Sequence, residues 1–237
     1  MRTRAFQPVD LVGYWLRTPI VAYAAATVFP AGAILFVLLL GFEPADVLRD
    51  PITSAGLDES LFYLGLFSNM GVILWAMAGG ICVFAAVGDQ GNLSSLERSF
   101  LIYAGSVTLI LAFDDMYMIH ENTNEYIFYF LYVIAMIVYL LKFHIVILRL
   151  DVLVFLIAIA ALASSVVSDE IINVINHRNA PGVDKAAILE QVSGLDSPYS
   201  ARNLAYLLED GSKFIGICAW ATFHIRAAYL LQRRLSE

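Results

Sequence analysis

The run Phe113-Asp114-Asp115-Met116-Tyr117-Met118-Ile119-His120-Glu121 places three carboxylates and a histidine at the end of an apolar stretch. Two further acidic pairs, Asp169-Glu170 and Glu209-Asp210, also border apolar stretches. Clustered carboxylates with a histidine can hold a hard or borderline divalent cation, which would neutralise them and activate water for hydrolysis. The same groups, by titrating instead of binding metal, are also the working parts of proton- or cation-coupled carriers. A third use is structural: the charges of an assembly subunit pair with another membrane protein.

The elements that must position these groups are membrane helices. Of 237 residues, 60% are hydrophobic and only 15% charged, and the mean hydropathy is +0.75. Those values lie outside the soluble range and inside that of polytopic membrane proteins. A formal charge of -7 leaves no basic face for nucleic acid. Cys82 and Cys218 both sit in apolar runs and read as buried thiols, with no disulfide framework or cysteine-rich metal site.

Apolar runs at about 19–42, 60–87, 99–119, 125–148, 152–174 and 203–231 each approach the roughly 20 residues a spanning helix needs. The expectation is an all-α, six-span protein forming one membrane domain, with a kink at Pro30 in the first span. Arg2, Arg4, Arg17, Arg98, Lys142, Arg149, Arg226, Arg233 and Arg234 would then share one side, so both termini are expected in the cytoplasm of a plasma or inner membrane. The long connection 178–202 reads as a surface loop or a lid over an outer-facing site.

With that topology the three acidic pairs meet at one depth, roughly one to two turns below the outer interface at about 1.5 Å per residue. Seven unpaired anions cannot coexist there, because each costs about 3 kcal/mol near the bilayer centre even on lenient scales. The candidate cation ligands are therefore Asp114, Asp115, Glu121, Asp169, Glu170, Glu209 and Asp210, with His120 and Lys213 as candidate catalytic groups. Asn69 and Tyr206 would support them from behind, and Ser68 lies at a comparable depth. Helical phase puts Asp114 and Glu121 on one face with Tyr117, and turns Asp115 and His120 elsewhere. It also separates Glu209, in a stripe with Arg202, Tyr206 and Lys213, from Asp210.

Each reading has a plainer counterpart. Glu209 and Lys213 are four apart and could form an intrahelical ion pair. His120 and His177 could simply meet interfacial water, His144 and His224 are assigned no chemistry, and Tyr126 to Tyr132 reads as an aromatic belt. The ligand pattern excludes two known arrangements. No His-x-x-x-His occurs in the last span, as in membrane hydrolases of the alkaline ceramidase type, and no Glu-x-x-His occurs, as in carboxylate di-iron bundles. The leading expectation is a divalent-metal-dependent hydrolase of a lipid or amphiphile reached from the outer leaflet. A coupled transporter and an assembly subunit are the alternatives.

Overall fold

The computed structural model describes residues 18–49, 63–89, 91–178 and 203–233; for 121, 122, 125 and 170–178 it describes the helical backbone alone. Six helices are long and apolar enough to cross a bilayer: α1 (Ile20–Leu39), α3 (Leu66–Val87), α4 (Ser95–Tyr117), α6 (Glu125–Ile147), α7 (Val152–Arg178) and α8 (Asn203–Arg233). Two short helices, α2 (Pro44–Leu48) and α5 (Ile119–Asn122), lie in the connections that follow α1 and α4. No strand occurs among the described residues. The protein is thus an all-helical, multi-pass membrane protein.

Local chemistry explains where these helices start and bend. Ser94 and Glu97 form a capping box: the Glu97 N–H donates to Ser94 Oγ at 3.3 Å and the Ser94 N–H to Glu97 Oε2 at 3.0 Å. This cap starts α4 four residues before the apolar run that marks it in the sequence. In α1, Pro30 has no N–H to give the Ala26 carbonyl, and the turn just before it, Ala24–Val28, widens to a π-helix. The Thr27 hydroxyl donates to the Tyr23 carbonyl at 2.8 Å within that widened turn.

The last span is the hub. Its apolar window is 67% buried, against 22–39% for the other five, because α8 packs on α7, α3 and α1 together. Glycines allow the closest approaches. A Cβ at Gly105 would lie 2.7 Å from Val83 Cγ2 and 2.8 Å from the Gly79 carbonyl, so α3 and α4 cross almost backbone to backbone. Gly216 of α8 similarly faces Leu162 of α7. Large apolar side chains on the outer faces of α1 and α6, such as Ile20, Phe36, Phe130 and Leu141, are exposed in the isolated chain, as lipid-facing residues must be.

The middle of the bundle is filled by aromatic rings. Trp75, Phe100, Tyr139, Phe143, Phe155, Trp220 and Phe223 pack on one another, and the rings of Phe100, Tyr139, Trp220 and Phe223 contact His224, which is fully buried. The Trp220 carbonyl lies 2.9 Å from His224 Nδ1 and can only accept, so Nδ1 carries the proton and Nε2 accepts from the Tyr139 hydroxyl at 2.9 Å. Trp220 Nε1 donates to Thr108 Oγ1 at 3.0 Å. His224 is therefore a satisfied core group.

Candidate functional site

Two groups of polar side chains meet at the end of the bundle formed by α2, α5 and the start of α8. The first is built by the end of α4. There Met118 adopts a left-handed backbone (φ 49°, ψ 41°), and its N–H caps the helix on the Asp114 carbonyl. A non-glycine residue in this region costs about 1–2 kcal/mol. The reversal folds α5 back onto α4. His120 then donates its backbone N–H to Asp114 Oδ1 at 2.9 Å and its Nδ1–H to Oδ2 at 2.8 Å. From α6 the Tyr132 hydroxyl donates to Oδ2 at 2.5 Å. Asp114, only 5% exposed, thus has three donors around it, the setting of an ionised carboxylate. It holds the imidazole by one nitrogen in one orientation.

The second group lines a cavity of about 60 Å³, room for a few waters at most. Ser68 of α3, Asp115 of α4, and Glu209, Asp210 and Lys213 of α8 form its wall with Arg49 at the end of α2. Lys213 Nζ bonds Asp115 Oδ1 at 2.6 Å, linking α8 to α4. Arg49 packs over the Tyr206 ring at 4.9 Å and donates to its hydroxyl at 3.3 Å, linking α2 to α8. In α2, burial and the neighbouring Glu43 push the Asp46 carboxyl above its ordinary value.

The residues singled out from the sequence are therefore distributed as follows. Asp114 and His120 form one pair, and Asp115, Glu209, Asp210 and Lys213 line one cavity. Tyr206 supports that cavity through Arg49. Helical phase misassigned the groupings on both helices. Asp115 faces the cavity and Asp114 the α5–α6 side, and the left-handed residue at 118 ends the helix before the Asp114–Glu121 stripe can continue. Glu209 and Asp210 both line the cavity, from the π turn Leu207–Gly211, so the two stripes that an ideal helix keeps apart meet there. Lys213 reaches across to Asp115, a pairing between helices that an intrahelical reading does not contain.

Asn69 is exposed and stands outside the cavity wall, where Ser68 takes the position expected for it. Asp169 is half-buried on α7, also outside that wall. The side chains of Glu121 and Glu170, the side chain of His177 and the connection 179–202 lie outside the described residues. Among the described residues, no three His, Cys, Asp or Glu side chains come together as a metal site. Two participants were not singled out from sequence. Tyr132 stood inside an aromatic belt, and Arg49 stands in the connection between the first two spans; neither has a periodicity that marks it.

No curated protein and no solved structure matches the chain. A family model does match, over residues 21–227, which reach from the first turn of α1 to the last turns of α8. The chain belongs to the family described as Domain of unknown function (DUF8692).

Proposed function

We propose that this is a membrane-embedded hydrolase that acts on a lipid or another amphiphile from one face of the bilayer. The observation that carries the reading is the Asp114–His120 pair. A buried carboxylate that accepts the Nδ1–H of a histidine fixes its tautomer and leaves Nε2 as the basic nitrogen, the arrangement general acid–base catalysis uses. The neighbouring cavity supplies Lys213 and Arg49, cations suited to a headgroup phosphate or a developing oxyanion. Their positions at the bundle end suit a substrate that enters laterally from the leaflet.

In the same proposal the termini are cytoplasmic and the site faces the outer side of a plasma or inner membrane. The proposal leaves any divalent cation to the carboxylates of the cavity wall, Asp115, Glu209 and Asp210, which are not gathered as a three-ligand site in this structure, so the chemistry rests on His120 first. The aromatic rings around His224 weigh against a carrier, since they fill the middle of the bundle where a two-sided path would run.

The test is to reconstitute the full chain in proteoliposomes of mixed polar lipid and to follow lipid products by mass spectrometry. Metal content and proton flux are measured in the same preparation. The proposal expects lipid turnover without flux. It also expects any stoichiometric metal to be lost in Asp115→Asn with Glu209→Gln. Proton or cation flux that depends on Asp115, with no lipid turnover, would replace the enzyme with a carrier.

A further inference from the structure

The opposite end of the bundle carries a second, different site. Between α1, α3 and α8 runs an apolar groove of about 430 Å³, within the roughly 300–1,000 Å³ of small-molecule sites. Ala22, Ala25 and Ala221 leave it open where larger side chains would close it, and Leu74 and Cys218 line it further along. It opens toward the surface where Val21 of α1 is exposed, the side that would face lipid. The Thr222 hydroxyl, also on its wall, is satisfied by the Cys218 carbonyl at 2.7 Å.

One ionic group lines this groove, and it is placed for use. Arg226 gives its Nε–H to Asp151 Oδ2 at 2.5 Å, and Thr18 Oγ1 donates to Asp151 Oδ1 at 2.8 Å. That network locks one edge of the guanidinium. The two terminal nitrogens take no partner among the described residues, although each can donate twice. Arg149 and Arg233 lie toward the same end of the bundle, together with the acids Asp89, Glu97 and Asp151. Among hydrophobic helices, an apolar slot that ends at an oriented guanidinium matches a molecule with an acyl chain and a phosphate. Basic pockets between membrane helices bind anionic lipid headgroups by this physics.

We propose that this groove is a binding site for an anionic phospholipid, with one acyl chain along Ala22, Ala25 and Ala221 and the phosphodiester on the terminal nitrogens of Arg226. The bound lipid would brace α1 against α8, two helices that meet there through small side chains. The site shares no lining residue with the acidic cavity.

The test is titration of the delipidated, detergent-solubilised full chain with phosphatidylglycerol, phosphatidylcholine, diacylglycerol of the same chains, and inorganic phosphate, with bound species counted by native mass spectrometry. One phosphatidylglycerol per chain is expected, held at least several-fold more tightly than phosphatidylcholine or diacylglycerol, with no retention of inorganic phosphate. Arg226→Gln should weaken it roughly fivefold or more, the effect of about 1 kcal/mol per basic residue. Because that change also breaks the Asp151 pair, Ala25→Leu is the second variant: it fills the groove, leaves the ion pair intact and should abolish retention. Equal binding of phosphatidylglycerol and diacylglycerol, or unchanged binding by Ala25→Leu, would overturn the proposal. So would a lipid-free dimer that Ala25→Leu dissociates, which would make a second copy of the chain the occupant.

Discussion

Replacing Tyr132 by Phe isolates the contribution of one hydrogen bond to the pair at the heart of the site. The ring stays, so its edge-on contact with Phe128 along α6 is unchanged, and only the hydroxyl that donates to Asp114 Oδ2 is lost. Asp114 is 5% exposed and would keep just the two donors supplied by His120. A hydrogen bond to a buried charged group contributes about 1.5–3 kcal/mol. For a chain of this size, at about 2–4 °C per kcal/mol, the midpoint of thermal unfolding should fall by roughly 3–12 °C. The assay is thermal unfolding in detergent of the parent, Tyr132→Phe, Asp114→Asn and the double variant. The two single losses should not add: a coupling of about 1 kcal/mol or more is expected between groups in direct contact. Additive effects, or a Tyr132→Phe midpoint equal to the parent's, would show that the hydroxyl does not serve Asp114 and would remove the account of how this carboxylate is held.

Three further outcomes follow from the packing and from the connection between α3 and α4. Gly105→Ala should destabilise by about 1–3 kcal/mol, since its Cβ would meet the Gly79 carbonyl, a backbone atom with nowhere to go, and a denaturation midpoint in detergent reads this directly. Thr108→Val keeps the side-chain shape but strands the buried Trp220 N–H, which should cost about 1–3 kcal/mol and shift the tryptophan emission. The Arg98 guanidinium, at 2.6 Å, with the N–H groups of Leu93, Asn92 and Gly91, holds the Asp89 carboxyl below its ordinary value. Because the folded value is the lower one, this stabilisation is full above the ordinary aspartate range and is lost as pH falls through it. Unfolding midpoints followed downward from neutral pH should therefore converge for parent and Arg98→Gln, and parallel curves would refute it.

Much of the scaffold is legible in the chain because lipid imposes a simple rule. An apolar run of about 20 residues must become a helix, and all six runs did, with ends adjusted by a few residues. The start of α4 at Ser95 is legible too, in the Ser94-x-x-Glu97 pattern that precedes it. The glycines at 79 and 105 make the close crossing of α3 and α4 that small residues permit between membrane helices. The phase of the acids was not legible. An ideal 3.6-residue helix predicts the stripes only while the helix stays ideal, and both relevant helices depart from it. Met118 enters the left-handed region without a glycine or asparagine to announce it. The π turn at Leu207–Gly211 has no compositional signature beyond Gly211. Tyr132 and Arg49 become partners of the site only through contacts that cross helices far apart in sequence.

The central claim is that Asp114 orients His120 for acid–base work on a membrane lipid. It is tested most directly by comparing lipid turnover of the parent and His120→Gln in proteoliposomes of mixed polar lipid, with thermal unfolding measured alongside. Loss of a general acid–base predicts a rate about 10²–10⁴-fold lower with at most a small change in the unfolding midpoint. Turnover by His120→Gln at the parent's rate, or none by the parent in any lipid, would contradict the account.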